Sequence, residues 1–353
     1  MTDPLRIALA GAGLVGRVHL DALQASPHCR PDAIIDPSSH AAELARSAGV
    51  AYHDSLAGYL DSTDTAERRP DGIILATPNA LHKEHALACM KKDLPMLLEK
   101  PLAASVAEGE AIAREARLRG TPILVGHHRT HSGILRAARD TIDSGVLGRL
   151  VSITGSATFV KPDDYFSAAP WRTRAGGGPI LINLIHEIQS LRLLCGEIVA
   201  LQAFGSNTVR GHAVEDTVAI NFRFANGALG TFLLSDTAAS PHSWEHNSGE
   251  NPAYAHHPEE ACYVVAGTHG SLAIPTLRLH HYERDEDRSW WKPFASKSIP
   301  FERDDPIARQ LDHFCAMIRG TEPVRVTVED GLANLRVTDA VERATRTGET
   351  VVL

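Results

Sequence analysis

The stretch Leu5-Arg-Ile-Ala-Leu-Ala-Gly-Ala-Gly-Leu-Val-Gly16 decides the fold of the first part of the chain. Its apolar half, Leu5–Ala10, predicts a buried strand, and Val18–Leu23 continues with the apolar spacing of a helix. Three glycines stand between these elements in a Gly-x-Gly-x-x-Gly arrangement. A strand that passes through such a turn into a helix is typical of a doubly wound α/β sheet.

Each glycine of this turn has a physical purpose in a dinucleotide site. Gly11 permits the tight turn, Gly13 lets the backbone approach a pyrophosphate, and Gly16 allows close helix–strand packing. The helix N-terminus supplies unbonded N–H groups and a partial positive charge. The turn, with Leu14 and Val15 inside it, therefore predicts a site for NAD or NADP.

Asp36 ends the second predicted strand, 20 residues beyond Gly16. A carboxylate at this place accepts hydrogen bonds from the adenosine ribose hydroxyls and repels a 2′-phosphate. Residues 37–40 contain no lysine or arginine that could hold such a phosphate. The sequence thus favours NAD over NADP, and the alternative is a glycine turn with a helix-capping aspartate in another kind of α/β protein.

Residues 1–126 alternate short apolar runs with helical patterns, which predicts a parallel sheet covered on both faces. The predicted strands are Leu5–Ala10, Ala33–Ile35, Gly72–Ala76, Met96–Leu98 and Ile123–Val125.

Residues 127–353 predict a second α/β domain with an open, largely antiparallel sheet. Asn226-Gly227 predicts a hairpin turn, because both residues tolerate positive φ. The strands expected in this domain are 149–160, 197–207, 215–224 and 228–237, and the helices are 134–144, 179–194, 306–319 and 329–346. We expect the last two helices to pack back on the first domain.

Composition and charge exclude several classes of protein. The 353 residues carry a formal charge of −8 without a long basic run, which argues against a nucleic-acid partner. No apolar stretch reaches the roughly 18 residues of a membrane helix, and the N-terminus has no export signal, so we expect a soluble cytoplasmic protein. Five scattered cysteines predict reduced, buried thiols.

Four histidines fall in the polar segment 238–258, namely His242, His246, His256 and His257. The first two have a spacing that a helix could turn into a metal pair. Because Pro241 and Gly249 are helix breakers, we expect an irregular loop here and no metal site.

Further motifs carry a resemblance to a known family. Glu99-Lys-Pro101 follows the strand Met96–Leu98, Thr77-Pro-Asn-Ala-Leu-His82 follows another strand, and Gly176-Gly-Gly precedes His186. With the first glycine turn, these motifs resemble the Gfo/Idh/MocA oxidoreductases, and the resemblance spans essentially the whole chain. It implies an N-terminal Rossmann domain and a C-terminal domain whose sheet often mediates dimers or tetramers.

The resemblance implies a catalytic pair. Oxidation of a carbinol requires an acceptor for the hydroxyl proton, and His186 is the candidate because an unperturbed imidazole has a pKa of about 6.5. Lys100 would stabilise negative charge on the reacting oxygen. The family usually has Asp or Asn four residues before the histidine, where this chain has Ile182, so Asn183 is a weaker third candidate.

The same resemblance places Thr77, Pro78, Asn79, His82, Glu99 and Lys100 near the cofactor. Asn79 and His82 could equally be turn and helix-cap residues. The substrate-pocket candidates are His128, Arg129, Trp171, Arg172, Asn183 and His186, and each of the first four has the alternative of a merely structural role.

The sequence therefore predicts NAD-dependent oxidation of a secondary alcohol on a cyclic polyol, sugar or related diol, by a homodimer or homotetramer. Two alternatives stay open: a dehydrogenase of a carboxylated dihydrodiol or a carbonyl reductase, since an arginine in the pocket suits a carboxylate, and a non-catalytic dinucleotide-sensing regulator on the same fold.

Overall fold

The computed structural model describes residues 3–63, 65 and 69–353, and these divide into two units. The first unit is the chain up to His128 together with Ile307–Leu335. The second unit is Arg129–Pro306 together with Arg336–Leu353. Each unit has its own hydrophobic core.

The described part of the first unit contains a six-stranded sheet in which all neighbouring strands are parallel. Its strands are β1 (Leu5–Ala10), β2 (Cys29–Ile35), β3 (Ala51–His53), β4 (Gly72–Leu75), β5 (Met96–Glu99) and β6 (Ile123–Gly126). Their order is β3-β2-β1-β4-β5-β6, so the direction of winding reverses between β1 and β4. Ligands of open α/β sheets bind beyond the carboxyl ends of the strands at such a reversal.

Helices cover the first sheet. They are α1 (Leu14–Ala25), α2 (Ser39–Ala48), α3 (Leu56–Ser62), α4 (His82–Lys91) and α5 (Val106–Arg119). The later segment Ile307–Leu335 adds Leu311, Phe314 and Leu332 to the same core. A Cβ at Gly72 would lie 3.0 Å from the Phe314 ring, so β4 packs directly against this segment.

The described part of the second unit contains a nine-stranded sheet. Its strands are β7 (Leu150–Thr158), β8 (Ile198–Ser206), β9 (Thr217–Phe224), β10 (Leu229–Ser235), β11 (Tyr263–Gly267), β12 (Gly270–Ile274), β13 (Arg278–His281), β14 (Ala295–Ser298) and β15 (Val351–Val352). The order is β14-β13-β12-β11-β7-β10-β9-β8-β15. Only β7 and β10 pair in parallel among these, and the predicted hairpin turn joins β9 to β10 with Gly227 at φ +89°.

The helices of the second unit are α6 (Gly133–Asp143), α7 (Asp163–Ser167), α8 (Ile185–Cys195) and α9 (Trp244–Ser248), of which α6 and α8 were predicted. The two helices predicted near the end of the chain are α10 (Pro306–Ile318) and α11 (Val328–Thr347), and the first unit takes their residues Ile307–Leu335. The prediction of a wholly irregular segment 238–258 was wrong. Ser243 accepts a hydrogen bond from the His246 N–H and caps α9, and Gly249 ends that helix at φ +65°.

Among the described residues, no group of three histidine, cysteine or carboxylate side chains could hold a metal ion. None of the helices in residues 3–63, 65 and 69–353 combines the length and the apolar character needed to cross a bilayer.

Candidate active site

The glycine turn after β1 leaves room for a ligand at one position. A Cβ at Gly11, where φ is +98°, would lie 2.3 Å from the Ala76 carbonyl oxygen. A Cβ at Gly16 would lie 2.0 Å from the Gly11 carbonyl oxygen, whereas a Cβ at Gly13 would meet nothing within 4 Å. The first and last glycines therefore serve the packing of the chain, and the middle one borders open space.

The N-terminus of α1 lies at this open space. Gly13 is its N-cap residue and supplies no capping side chain, so the N–H groups of the first turn are available to an anionic acceptor. Leu14 is 81% exposed and Val15 is 43% exposed. The turn thus offers backbone donors beside an apolar surface, and this combination fits the pyrophosphate of a dinucleotide.

Asp36 holds the glycine turn in place. One of its carboxylate oxygens accepts a hydrogen bond from the Ala12 N–H at 2.9 Å, and the other accepts one from the Ser38 N–H at 2.8 Å. Burial raises the pKa of the Asp36 carboxyl, but these hydrogen bonds outweigh burial and lower the pKa below its ordinary value. Since each carboxylate oxygen has a second acceptor site, Asp36 can still accept hydrogen bonds from the hydroxyl groups of a ribose.

A buried His19–Glu99 pair lies beside Lys100, and the sequence analysis missed His19. The His19 Nε2 lies 2.7 Å from Glu99 Oε1, and the other carboxylate oxygen accepts the Lys100 N–H at 3.1 Å. Burial raises the pKa of Glu99, but the hydrogen bond to His19 and the charges of Lys100 and His128 bring it down to about 2. His19 lies on the buried face of α1, and a polar residue at such a position in the helical pattern could have indicated a buried partner.

The absence of a side chain at Gly126 leaves the space that the Glu99 carboxylate fills. A Cβ at Gly126 would lie 2.9 Å from both Cα and Cδ of Glu99, so a larger side chain at the end of β6 would displace the carboxylate. Glu99 is 7% exposed and its carboxylate already has two partners within the protein. Its observed role is to hold the backbone of Lys100.

His82 joins the ends of two strands. Its Nδ1 lies 2.8 Å from the Pro101 carbonyl oxygen and its Nε2 lies 2.9 Å from the Thr77 carbonyl oxygen. Both partners only accept, so both hydrogen bonds form together only on the imidazolium, although burial lowers the pKa of His82. The side chain is fully buried, which favours the structural alternative over direct contact with a cofactor.

The neighbouring motif residues lie around this bridge. Pro78 precedes a 3₁₀ turn, Asn79–Leu81, that leads into α4. The hydroxyl of Thr77 contacts His85 Nδ1 at 3.1 Å, and the Lys100–Pro101 peptide bond is cis. The first unit therefore brings the glycine turn, Asp36, Thr77 and Lys100 to the carboxyl ends of β1, β2, β4 and β5.

Arg129, in the second unit, belongs to a buried ion-pair network. It is 3% exposed and donates to Glu187 at 2.7 Å and also to Glu245. Tyr263 donates its hydroxyl proton to the second oxygen of Glu187. Burial raises the pKa of Glu187 despite the opposing charge of Arg129. Because both terminal nitrogens of this guanidinium are paired with carboxylates of the protein, the residues proposed to bind substrate do not include Arg129.

The triple glycine shapes the start of the helix that carries His186. A Cβ at Gly177 would lie 2.6 Å from the Arg172 carbonyl oxygen, and one at Gly178, where φ is +80°, would lie 2.6 Å from Glu215 Oε1. That carboxylate oxygen accepts the Ile180 N–H at 2.8 Å. The glycines therefore let Glu215 cap the helical segment.

The segment begins as a π-helical turn, Ile180–Leu184, before α8 continues from Ile185. Single π-turns inside helices are frequent at functional sites. The helix predicted over 179–194 is present, with the difference that residues 180–184 form a π-helical turn in place of α-helix. Asn183 and His186 are both half-buried.

Lys161 contacts Asn183 and is the second residue that the sequence analysis missed. Its ammonium nitrogen donates to Asn183 Oδ1 at 2.6 Å and lies 3.7 Å from Asp236. The side chain is 10% exposed. Burial lowers the pKa of Lys161 to about 8 with help from Arg172 and Arg210, while Asp236 opposes that shift. A lysine one residue beyond a predicted strand gave no signal of burial.

Arg172 lies against the ring of Tyr165. The guanidinium carbon is 3.7 Å from the ring centroid, and Nη1 donates to the Tyr165 carbonyl oxygen. Its Nε is buried and has no hydrogen-bond partner among the described residues. Trp171 beside it is 53% exposed. The second unit thus brings Arg172, Lys161 and Asn183 together, whereas His128 belongs to the first unit.

Comparisons with known proteins agree with this arrangement. A family model described as "Oxidoreductase family, NAD-binding Rossmann fold" matches residues 5–127, and the "GFO/IDH/MocA C-terminal domain" matches residues 135–273. A 1,5-anhydro-D-fructose reductase of Ensifer adhaerens is 25% identical over 319 residues, 86% of each chain. An inositol 2-dehydrogenase of Streptomyces avermitilis is 29% identical over 238 residues, 65% of each chain.

A similar fold occurs in a crystal structure of an oxidoreductase from Agrobacterium radiobacter in complex with NAD+, L-tartaric acid and magnesium. The TM-score is 0.81 at 17% sequence identity, and the match covers 99% of this chain and 98% of the other. The N-terminal parallel sheet and the mixed C-terminal sheet are therefore found together in a solved structure of one chain.

Proposed function

The chain belongs to the GFO/IDH/MocA oxidoreductase family, and from this premise we propose that it oxidises a secondary alcohol of a cyclic polyol, a sugar or a related diol with NAD. The family establishes an oxidoreductase with an NAD(P)-binding Rossmann domain. One observation carries the proposal: the glycine turn and Lys100 lie at the carboxyl edge of one parallel sheet, where the turn borders the reversal of winding between β1 and β4 and Lys100 follows the next strand, β5.

The proposed chemistry needs three side chains. His186 accepts the proton of the reacting hydroxyl as general base, and Lys100 stabilises negative charge on the same oxygen. Asn183, held by Lys161, orients the substrate. NAD held at the glycine turn and Asp36 would supply the acceptor for the hydride that leaves the carbon.

Activity measurements test these roles. Purified protein is incubated with NAD and a panel of inositols, aldoses and cis-diols, and reduced nicotinamide is followed by absorbance. We expect Lys100→Ala and His186→Ala each to lower kcat about 10²- to 10⁴-fold, because each removes assistance to proton transfer or charge development. Lys91→Ala and His28→Ala, which change exposed residues of the first unit, are the controls. Full turnover in either of the first two variants contradicts the assigned roles.

The preference for NAD rests on Asp36. Its carboxylate would accept the ribose hydroxyls and repel a 2′-phosphate. We expect Asp36→Ser to lower the ratio of kcat/KM for NAD to that for NADP about 10- to 100-fold, the size of a charge-assisted hydrogen bond. Glu43→Ser on α2 is the control because that residue is exposed. An unchanged ratio assigns cofactor choice to other residues.

We further propose that the protein assembles as a homo-oligomer in the cytoplasm. Phe204 and Leu233 flank Ala219 in one row on the outer face of the second sheet, and they are 76% and 44% exposed. Apolar exposure of this kind supports a protein contact. All five cysteines are buried free thiols, which suits a reducing compartment. Light scattering of Phe204→Glu against the unchanged protein tests the assembly, and equal masses above the monomer contradict this interface.

A further inference from the structure

Two cationic side chains contact the same aromatic ring in the second unit. The Lys161 nitrogen is 5.0 Å from the centroid of Tyr165, and the Arg172 guanidinium carbon is 3.7 Å from it. Both side chains are at least partly buried, so their charges are screened less than charges on the surface. Buried charges are normally paired, and the partners of these two decide what the cluster can bind.

The carboxylate near this cluster is already engaged. Arg210 donates from Nε to Asp236 at 2.8 Å, whereas Lys161 lies 3.7 Å from the same carboxylate. Arg172 has no carboxylate within ion-pair distance among the described residues. Lys161 and Arg210 therefore share Asp236, and Arg210 also lies 3.8 Å from the exposed Asp163. Among the described residues, Arg172 is thus the cation of the cluster that is left without a carboxylate.

A hydrogen-bond donor in the cluster is also unsatisfied. The Nε of Arg172 is buried and has no partner in the part of the chain that the structure describes. A buried donor without an acceptor costs free energy, which an acceptor oxygen of a ligand would recover. The guanidinium group is suited to carboxylates because its N–H groups form a planar fork.

The position of the cluster connects it to the proposed reaction. Lys161 donates to Asn183, which stands three residues before His186 on the same helical segment. Trp171, next to Arg172, is exposed and so leaves the cluster beside accessible surface. An anionic group bound here would lie on a substrate held near His186.

Building on the proposed function, we propose that Lys161 and Arg172 bind a carboxylate of the substrate, so that the substrate is a polyhydroxy carboxylic acid. Candidates are uronates, aldonates and carboxylated diols. A neutral polyol would leave the Arg172 guanidinium without a carboxylate, whereas a substrate carboxylate would pair with it and accept a hydrogen bond from its Nε. Arg129, which is held between two carboxylates, takes no part.

Matched substrates test the inference. D-Glucuronate and D-glucose share their ring hydroxyls and differ at one terminal group, and so do D-galacturonate and D-galactose. We measure kcat/KM from nicotinamide absorbance, and Kd by calorimetry with NADH present. We expect the acid to be preferred at least about 10-fold, and we expect Arg172→Met to remove most of this preference through KM. Arg174→Met, an exposed arginine two residues away, is the matched control.

Further variants keep the test decisive when one variant folds poorly. Circular dichroism checks folding, and Arg172→Lys keeps the charge without the fork, so we expect an intermediate preference. Lys161→Met should also weaken acid binding. Retention of the full acid preference in folded Lys161→Met and Arg172→Lys overturns the assignment of these two side chains.

The outcomes separate this inference from the proposed function. Turnover of neutral sugars without any acid preference overturns the inference and leaves the proposed function standing. If glucose 6-phosphate binds more strongly than glucuronate, the assignment of a carboxylate as the bound anionic group is overturned. If no substrate reduces NAD, but glucuronate binds and Arg172→Met abolishes that binding, the inference stands and the proposed function fails.

Discussion

Arg129 and Arg172 were predicted from the sequence for the same pocket, yet the structure surrounds them differently. Arg129 is 3% exposed and donates to two carboxylates, Glu187 and Glu245. Arg172 lies on an aromatic ring and has no carboxylate partner among the described residues. Residue type alone therefore does not separate a structural cation from one available to a ligand, because charge compensation makes the difference.

The largest expected effect is the difference between the free energies of unfolding of two variants, Arg129→Met and Arg172→Met. Arg129→Met leaves two carboxylates without their cation, and breaking a buried pair in this way costs about 3–5 kcal/mol. Arg172→Met leaves no carboxylate behind and should cost about 1–2 kcal/mol, for a cation–π contact and one hydrogen bond to the Tyr165 carbonyl oxygen. Urea unfolding at neutral pH gives both free energies of unfolding. Equal losses in the two variants contradict the distinction.

A smaller effect on the free energy of unfolding is expected from the buried His19–Glu99 pair of the first unit, in which the carboxylate has its partner within the protein. Because the pKa of Glu99 falls from about 4.3 in the unfolded chain to about 2 in the fold, its ionised form stabilises the protein above about pH 4. This contribution, about 3 kcal/mol at 1.36 kcal/mol per pKa unit, is lost as the pH falls towards 2.

Glu99→Gln should therefore be less stable than the unchanged protein at pH 7, and the difference should shrink as the pH is lowered. Urea unfolding from pH 7 to pH 3 measures this difference. Glu43→Gln, on the exposed side of α2, is the control and should show no comparable pH dependence. A difference that stays constant over this range contradicts the role of the Glu99 charge.

The smallest expected effect concerns Lys161, which lies with Arg172 against the ring of Tyr165. Lys161 faces Asp236, Arg172 and Arg210, and its pKa lies at about 8. The two arginines keep their charge at all accessible pH values, so raising the pH from 7 to 9 neutralises mainly the lysine. Since only the ammonium form attracts an anion, we expect the Kd for glucuronate to rise up to about 10-fold.

Calorimetry at pH 7, 8 and 9 measures this rise in the Kd. In Lys161→Met the Kd at pH 7 should be larger than in the unchanged protein, and it should depend little on pH. A dependence of equal size in that variant assigns the titration to another group.

The first sheet was predictable because its signals are local. β1, the glycine turn and α1 follow one another within residues 5–25, and β4, β5 and β6 are continuous apolar runs. The edge strand β3 was missed because it has three residues and two of them are exposed. In the second unit, alternation and Asn226-Gly227 predicted β7–β10, whereas β13 and β14 carry too many polar residues to give an apolar pattern.

The charged networks were not predictable for a different reason. Glu99 lies 80 residues from His19, and Arg129 lies 58 and 116 residues from its two carboxylates. Neither a period nor a short motif connects residues at such distances. The motif containing His82 identified an important residue, but the two carbonyl groups it bridges appear only once β4 and β5 lie side by side.

The first unit is discontinuous in sequence, and this has a consequence for biosynthesis. Its core requires Leu311, Phe314 and Leu332, and Gly72 packs directly on Phe314. A ribosome adds roughly 5–20 residues per second from the N-terminus, so the glycine turn emerges long before the residues that complete its core. The nucleotide-binding half of the molecule, although begun first, is therefore among the last parts to reach its native packing.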